Sequence, residues 1–461
     1  MTLSIIDIII IFIYFAVVLL IGFFVTRGKN QAEADDEFIL AGRKLTLPFF
    51  VASLVATWYG SILGIGEFVY TSGIVAWVCF GLPYYIAAAL FGFLIAGKIR
   101  SSGFSSIPDQ ITHFYGKSAG KISSIIILVI TIPAAYILML GVIIQLFTGW
   151  LLWIGIIAGA LLSLAYLFTG GFRADVFTNT AQFIIMYIGF TVLLIFSVIK
   201  FGGFQVNFAK LPLQHLTLLG NLSWQYVLAW YVIAFQTFVD PAFHQRCAAA
   251  RTPKIARRGI FVSIILWTVF DFLTLATGLY AKANLGNIEP LMAFPLLGEI
   301  VLPVFWKGIF VVSLLAVIMS TLDSYAFISA FTIGKDFLRA IKLPIIVRAS
   351  DKKLTQAGLL ITAIVGVAFA IWIPSAIELI YKTSSVAVPG LIVPLTLTYF
   401  DKKLLKPNDA VIVMIGGSLL ALIFTIGKEY GNNFFLMFEP MFPAIIFAVL
   451  ISLILIYRNK S

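Results

Sequence analysis

Long apolar segments separated by short polar connections run along the whole 461-residue chain. A membrane-spanning helix needs about 20 largely apolar residues, and by that measure we predict thirteen spans. Strands of a membrane barrel would be about half as long and would alternate apolar with polar positions, which these segments do not. The predicted spans are Ile5–Val25, Leu47–Thr71, Val75–Ala96, Ile122–Phe147, Leu152–Phe168, Ala181–Ile199, Leu222–Val239, Ile260–Tyr280, Ile309–Ile333, Ala357–Ile373, Ile380–Tyr399, Ala410–Ile426 and Phe442–Tyr457.

The composition supports the same class of protein. Hydrophobic residues make up 61% of the chain and charged residues 11%, whereas soluble domains are about 45–50% apolar and about a quarter charged. This excludes a soluble enzyme, a disordered protein and a fibrous repeat. Because no connection exceeds about 25 residues, we predict an all-α integral membrane protein with one transmembrane domain, residues 1–461, whose function lies inside the membrane.

The basic residues predict the orientation, because Lys and Arg are retained on the cytoplasmic side. With the N-terminus outside, 25 of the 31 basic residues fall on one side, beginning with Arg27, Lys29, Arg43 and Lys44. The opposite side keeps Lys200, Lys210, Lys282, Lys307, Lys382 and Lys428. The net charge of +11 is therefore a topology signal and not a nucleic-acid site. We expect a multi-pass protein of the plasma (inner) membrane with a cytoplasmic C-terminus.

The second predicted span contains a segment that disfavours a continuous helix. Residues Ala56–Ser61 are followed by Gly64 and Gly66. Each glycine inside a helix costs about 1 kcal/mol relative to alanine, and three glycines within seven residues favour unwinding. Broken helices occur at membrane depth where protein or a watery cavity surrounds them, and their free carbonyls bind coupling cations. The alternative is close helix packing of the small-xxx-small type.

The ninth predicted span carries the second polar cluster, Ser320, Thr321, Asp323 and Ser324. Ser320 and Ser324 are four residues apart and share one helix face. A carboxylate and three hydroxyls at mid-membrane are costly unless they face protein or water. Their oxygen atoms suit a hard cation such as Na+. The alternative is that the hydroxyls bond to their own helix and join neighbouring helices.

Other ionisable residues give weaker signals. Glu67 follows the glycine-rich segment and is a candidate for a gate or a proton relay, with a structural role as the alternative. Asp7 lies near a span end, where we expect solvation. Asp240 precedes Pro241, and we expect this pair to end the seventh span before the basic run that starts at Arg246. Asp271 lies mid-span without an evident partner. Nucleophile motifs, phosphate-binding loops and metal-ligand spacings are absent from the sequence, so we expect no enzyme activity.

Several ordered motifs resemble those of the sodium:solute symporter family, which includes sodium-coupled proline, pantothenate, sialic acid and sugar carriers. The likeness extends over about residues 30–340. The motifs are residues 36–43, DEFILAGR; 53–57, SLVAT; 66–73, GEFVYTSG; 170–174, GGFRA; 245–246, QR, with 248–251, AAAR; and 319–324, MSTLDS, which continues to Lys335 and Asp336.

The resemblance implies a leucine-transporter-like (LeuT) fold with two five-helix repeats. The predicted spans allow this independently, because five is odd and the second repeat must start from the opposite side. The first repeat would cover residues 47–199 and the second residues 222–399. One extra helix, 5–25, would precede the repeats, and two helices within 410–457 would follow them.

The resemblance also implies a sodium site where the second and ninth spans meet. Its ligands would be the backbone carbonyls of Ala56, Tyr59 and Val317 and the hydroxyls of Ser320 and Thr321. Some relatives hold a second sodium with an aspartate after the Gly-Gly pair. That place is taken here by Asn179, which has no charge. A second cation or proton site is therefore in question, and its candidate residues are Asp323, Ser324 and Asn179.

The predicted function is sodium-coupled symport of a small organic solute into the cell by alternating access, without an organic cofactor or an obligate protein partner. We expect the solute to be bound by polar and aromatic side chains of the second and seventh spans: Thr57, Trp58, Ser61, Glu67, Phe235 and Gln236. The alternatives are a proton-coupled carrier that uses Glu67 or Asp323, an uncoupled carrier of the same fold, and a transporter-like solute sensor.

Overall fold

The computed structural model describes residues 3–24, 37–338, 348–373, 376–400, 404–431 and 433–460. Arg27 and Lys29 of the orientation argument, and Asp36 of the first motif, lie outside the described residues. Helices dominate these ranges, and their extended pairing is limited to one isolated bridge between Leu45 and Ala250. The predicted all-α fold is therefore confirmed.

Twenty α-helices, α1 to α20, are described in chain order. The first ten are Ile5–Phe24, Leu47–Trp58, Ile62–Ser72, Val75–Phe80, Leu82–Phe91, Gly97–Ser102, Ile107–Thr131, Ala134–Thr148, Leu152–Phe201 and Phe204–Phe208. The second ten are Trp224–Ile233, Pro241–Ala249, Pro253–Asn284, Ala293–Val301, Trp306–Thr332, Asp351–Trp372, Ala376–Thr398, Pro407–Glu429, Asn433–Leu436 and Met441–Lys460. Short 3-10 segments occupy Ala41–Arg43, Leu213–Leu216, Ala234–Phe238 and Pro290–Met292, and π-helical turns occupy Gly92–Ala96 and Ile333–Leu338.

Within the described residues, ten helical segments are long and apolar enough to cross a membrane, and the bent pair α2 and α3 makes eleven. Two further predicted spans correspond to Leu152–Ala165, which is shorter, and to α17. Helix α9 joins the fifth and sixth predicted spans, with a break at Gly171, whose φ is 57°. The total of thirteen spans therefore stays a prediction.

Helix α15 forms the centre of the bundle. Nearly all its residues are buried, and α1, α2 and α9 pack around it. The carboxylate of Asp7 on α1 accepts hydrogen bonds from the backbone N–H groups of Phe305 (3.0 Å) and Gly308 (2.8 Å) at the start of α15. Asp7 is buried and not solvated as its position near a span end suggested, because it caps another helix.

Both predicted repeats begin with an interrupted helix. Helices α2 and α3 meet at an angle of 58° across Tyr59–Ser61. In the second repeat, α11 continues as a 3-10 segment and is followed by α12. The seventh span therefore does not end at Asp240 and Pro241 as expected. Asp240 is buried and caps α12, because its carboxylate accepts from the N–H groups of Ala242 (2.8 Å) and Phe243 (3.4 Å).

We predict that Asp7→Ala lowers the free energy of unfolding by about 1–2 kcal/mol, the range measured for loss of a helix N-cap. The physical reason is that two N–H groups at the start of α15 lose their acceptor. Thermal unfolding of the purified protein in detergent measures the effect. Asp7→Asn is the matched control, because its amide oxygen still accepts. Equal unfolding midpoints for Asp7→Ala and the wild type would contradict this role.

Candidate functional site

The end of α2 exposes backbone carbonyls that lack partners within the helix, as every helix C-terminus does. Helix α15 supplies the missing donors. The hydroxyl of Ser320 donates to the carbonyl of Ala56 at 2.8 Å, and the hydroxyl of Thr321 donates to the carbonyl of Thr57 at 2.7 Å. The two polar clusters found in the sequence, 264 residues apart along the chain, therefore meet in space.

A glycine allows this close approach of the broken helix to α15. A Cβ atom added to Gly60 would lie 2.5 Å from Cβ and Oγ1 of Thr321 and 2.7 Å from Cε1 of Tyr136. Such distances are far below normal contact, so a larger residue would push the broken segment away. The break in the second span therefore changes the direction of the helix and also allows the close contact between Gly60 and Thr321.

The oxygen atoms at this contact form a candidate cation site. The hydroxyl oxygen of Ser320 lies 2.8 Å from the carbonyl oxygens of both Ala56 and Val317. Carbonyl and hydroxyl oxygens are hard ligands, and a set without a carboxylate suits a monovalent ion. Tyr59 lies at the bend itself, whereas the Thr321 hydroxyl contacts the carbonyl of Thr57. The described residues hold no cluster of three or more His, Cys, Asp or Glu side chains that would bind a metal.

The side chain of Tyr59 anchors the bend to α13. Its hydroxyl lies 2.7 Å from Oδ1 of Asp271 and 2.9 Å from the carbonyl oxygen of Trp267. Tyr85 on α5 donates to the other oxygen of the same carboxylate. Asp271, which had no evident partner in the sequence, is therefore the acceptor that links the bend, α5 and α13.

A buried ionic cluster lies one helical turn from the candidate cation site. The guanidinium of Arg246 on α12 is fully buried and pairs with Asp175 on α9 at 3.3 Å. The same nitrogen donates to the hydroxyls of Thr57 and Ser324, both at 2.7 Å, and Nε donates to Ser53 at 2.9 Å. Removing one partner of such a pair typically costs about 3–5 kcal/mol.

The three candidates for a second cation site separate into two groups. Ser324 and Asn179 lie together in the ionic cluster, with the Asn179 amide nitrogen 3.3 Å from the Ser324 hydroxyl. Asp323 contacts Ser163 on α9, and Oδ1 accepts from that hydroxyl at 2.5 Å. The carboxylate found beside Ser324 is instead that of Asp175, which accepts from the Ser324 hydroxyl at 2.9 Å.

A cavity of about 120 Å³ adjoins the bend. Four predicted solute-binding residues line it: Thr57, Trp58, Ser61 and Gln236. Aromatic rings form much of the remaining wall. The lining includes the carboxylates of Asp240 and Asp271 but neither lysine nor arginine. This inner cavity therefore combines apolar rings with hydrogen-bonding groups and two carboxyl groups, which is the usual composition of a small-molecule site.

A second cavity, of about 390 Å³, shares Ser61, Tyr84 and Gln236 with the first. Glu67 lines this outer cavity, as do Lys428 and Glu439, which form an ion pair at 3.0 Å. Phe235 lies in the 3-10 segment, lines neither cavity and is 38% exposed. The role of Phe235 in solute binding therefore stays a prediction.

Sequence reasoning missed the residues whose partners are distant in the chain. Arg246 was counted with the basic cytoplasmic residues, and its burial follows only from the return of α12 to the bundle centre. Asp175 lies directly after the GGFRA motif and was not singled out. The sequence carried no signal for either residue, because Asp175 and Arg246 both lie in connections between the predicted spans, where charge is expected.

The broken helix, the oxygen cluster on its partner helix and the adjoining polar cavity define a class of membrane protein, the ion-coupled secondary transporters. A family model described as "Sodium:solute symporter family" matches residues 38–417. The chain belongs to that family. It is a multi-pass membrane transporter coupled to Na+, and not an enzyme, as the motifs predicted.

Individual relatives agree with the family. The chain is 24% identical to the sodium/pantothenate symporter of Escherichia coli (strain K12), over 96% of this chain and 94% of that protein. It is 27% identical to a sodium/proline symporter of Haemophilus influenzae, over 78% and 76% of the two chains. A Na+-coupled sialic acid symporter, solved in a substrate-bound outward-open state, has the same fold, with a TM-score of 0.80, 16% identity and 98% coverage of both chains. The predicted LeuT-like architecture is thereby confirmed.

We predict that Gly60→Ala weakens the apparent Na+ affinity roughly tenfold, equivalent to about 1.4 kcal/mol. The added methyl group collides with Thr321 and separates the oxygen ligands on the two helices. The rise in the thermal unfolding midpoint when Na+ replaces K+ at constant ionic strength reports the affinity. Gly203→Ala is the control, because its Cβ would meet open space. An unchanged Na+ response in Gly60→Ala would show that this approach does not shape the cation site.

Proposed function

We propose that this symporter binds its coupling Na+ between the bend of α2 and helix α15. The supporting observation is the convergence of the Ala56 carbonyl, the Val317 carbonyl and the Ser320 hydroxyl within hydrogen-bond distance. Thr321 lies one residue further along the same helix, and Tyr59 contributes its carbonyl from the bend. These five residues are the sodium site that the family resemblance implies.

The solute binds in the inner cavity beside this ion. Thr57, Trp58 and Ser61 reach it from the broken span, and Gln236 reaches it from the interrupted helix of the second repeat. The outer cavity, with Glu67 in its wall, gives access to this site. Lys428 at that cavity is one of the six basic residues assigned to the outer side. Solute therefore enters from outside and is released into the cell.

Coupling follows from the shared bend. Na+ fixes the relation of α2 to α15, and the solute contacts the residues that directly follow Ala56. A ligand shifts a conformational equilibrium only by its differential affinity for the two states, and coupling between two ligands is reciprocal. Na+ binding therefore raises the solute affinity in the outward-open arrangement, and rearrangement of the helices around the bend opens the site inward.

The charge of the inner cavity restricts the class of solute. Asp240 and Asp271 face it without a compensating lysine or arginine in the lining. A carboxylate or phosphate ester would meet like charge at low dielectric, which is strongly unfavourable. Neutral polar solutes and cations are therefore preferred to anions. Trp58 and the surrounding tyrosines offer faces that attract cations and stack on apolar groups.

The orientation in the membrane completes the proposal. The N-terminus lies outside, the C-terminus lies in the cytoplasm, and the protein resides in the plasma (inner) membrane.

Proton coupling is the second candidate function. It is favoured by Asp323, a carboxylate buried on the same helix as the sodium site. Transport that persists without Na+ but collapses with the proton gradient would establish it.

We predict that Ser320→Ala and Thr321→Ala each raise the Na+ concentration for half-maximal binding roughly tenfold or more, because each loses an oxygen ligand. Binding of radiolabelled Na+ to purified protein measures this without knowledge of the solute. Ser329→Ala is the matched control, since this serine is buried on the same helix and its hydroxyl has no hydrogen-bond partner among the described residues. Wild-type affinity in both variants would remove the site assignment.

We predict that the protein discriminates among solutes of one shape by their charge. Choline, neutral dimethylbutanol and anionic dimethylbutyrate form such a series, and stabilisation against heat in Na+ measures their binding. Dimethylbutyrate should bind least. Asp271→Asn should narrow the difference between the anion and the other two, whereas Asp351→Asn, which lines neither cavity, should leave it unchanged. Preferred binding of the anion by the wild type would contradict the assigned solute class.

A further inference from the structure

The ionic cluster has the composition of a cation site. Around the Arg246 guanidinium lie the hydroxyls of Ser53, Thr57 and Ser324 and the carboxylate of Asp175, at 2.7–3.3 Å. All five side chains are buried. Three neutral hydroxyls and one carboxylate would compensate a single positive charge, and they are the hard oxygen ligands that alkali-metal ions require.

An amide oxygen adds an independent observation. The nitrogen of the Asn179 side chain faces Asp175 at 3.1 Å and Ser324 at 3.3 Å. Its oxygen is buried without a hydrogen-bond partner. A buried acceptor without a donor is costly. The cluster therefore includes one buried oxygen, that of the Asn179 amide, to which no described residue donates a hydrogen bond.

The cluster and the proposed sodium site share two helices, α2 and α15. Thr57 follows Ala56 directly on α2, and Ser324 lies one turn after Ser320 on α15. The hydroxyl of Ser324 also donates to the carbonyl of Ser320 at 3.1 Å. A positive charge in the cluster is therefore a fixed neighbour of the Na+ ion.

We propose that Arg246 is a resident cation that fills a second monovalent cation site, so that the protein binds and transports one Na+ per cycle. The inference rests on the proposed sodium site. The guanidinium occupies the space between the oxygens, and it neutralises the single carboxylate, Asp175. A second Na+ would find neither room nor net negative charge. Because Arg246 belongs to α12, this charge stays with the protein when the mobile ion leaves.

The test counts sodium ions. Wild-type protein should bind one radiolabelled Na+ per chain at saturation, with a Hill coefficient of one. Arg246→Ala leaves Asp175 and three hydroxyls around an open space and should bind two. Arg246→Ala combined with Asp175→Asn removes both charges and should return the count to one. Arg246→Lys keeps a tethered charge and should also bind one.

Each result supports or overturns the proposal. Two Na+ ions per wild-type chain would overturn it, and so would a folded Arg246→Ala protein that binds only one. If Arg246→Ala does not fold, the wild-type count decides alone. Ser320→Ala separates this proposal from the proposed function. In the Arg246→Ala background, Ser320→Ala should weaken the binding of one of the two Na+ ions roughly tenfold or more and leave the affinity of the other unchanged. Wild-type protein that binds no Na+ would instead contradict the proposed function itself.

Discussion

The pairing of the free carbonyls of α2 with the hydroxyls of α15 is the constraint on which the structure depends. In a membrane every backbone polar group requires a partner within the protein. The break at Tyr59–Ser61 frees the carbonyls of Ala56 and Thr57. The hydroxyls of Ser320 and Thr321 donate hydrogen bonds to these carbonyls. Helix α15 must therefore lie at the centre of the bundle, and α1 and α9 must surround it. The Ala56 carbonyl and both hydroxyls also belong to the proposed sodium site, so under that proposal stability and ion binding use one set of atoms.

The remaining costly groups are placed against the same elements. Arg246 and Asp175 connect α12 and α9 to the hydroxyls of α2 and α15. Asp271 connects α13 and α5 to the bend through two tyrosine hydroxyls. Charged groups within a membrane protein are expensive and mark functional positions. Here they join the interrupted helices of the two halves to the helices around them, so movement of one interrupted helix must rearrange contacts of the other.

The sequence predicted the elements whose cause is local and missed those whose cause is tertiary. Apolar length predicted the helices, and the glycines around Gly60 predicted the broken span. The meeting of Ala56 with Ser320 followed from the family resemblance. The exposure of Phe235, the capping role of Asp7 and the burial of Arg246 depend on partners 70 to 300 residues away or on a turn of the backbone. Charge near a span end indicates solvent in most proteins, whereas here Asp7 is buried because it caps α15 and Arg246 because α12 returns to the bundle centre.

The number of coupled ions sets how steeply this protein can concentrate its solute. One Na+ crossing a potential of 100 mV releases about 2.3 kcal/mol, and a tenfold concentration gradient adds about 1.4 kcal/mol. Their sum of about 3.7 kcal/mol supports accumulation of a neutral solute by roughly 500-fold. A second coupled Na+ would square that accumulation ratio, but two Na+ ions would then enter with each solute molecule. A tethered guanidinium therefore lowers the number of Na+ ions that enter with each solute molecule, and it also lowers the accumulation ratio that can be reached. It retains the electrostatic role of a second cation, but this charge does not cross the membrane.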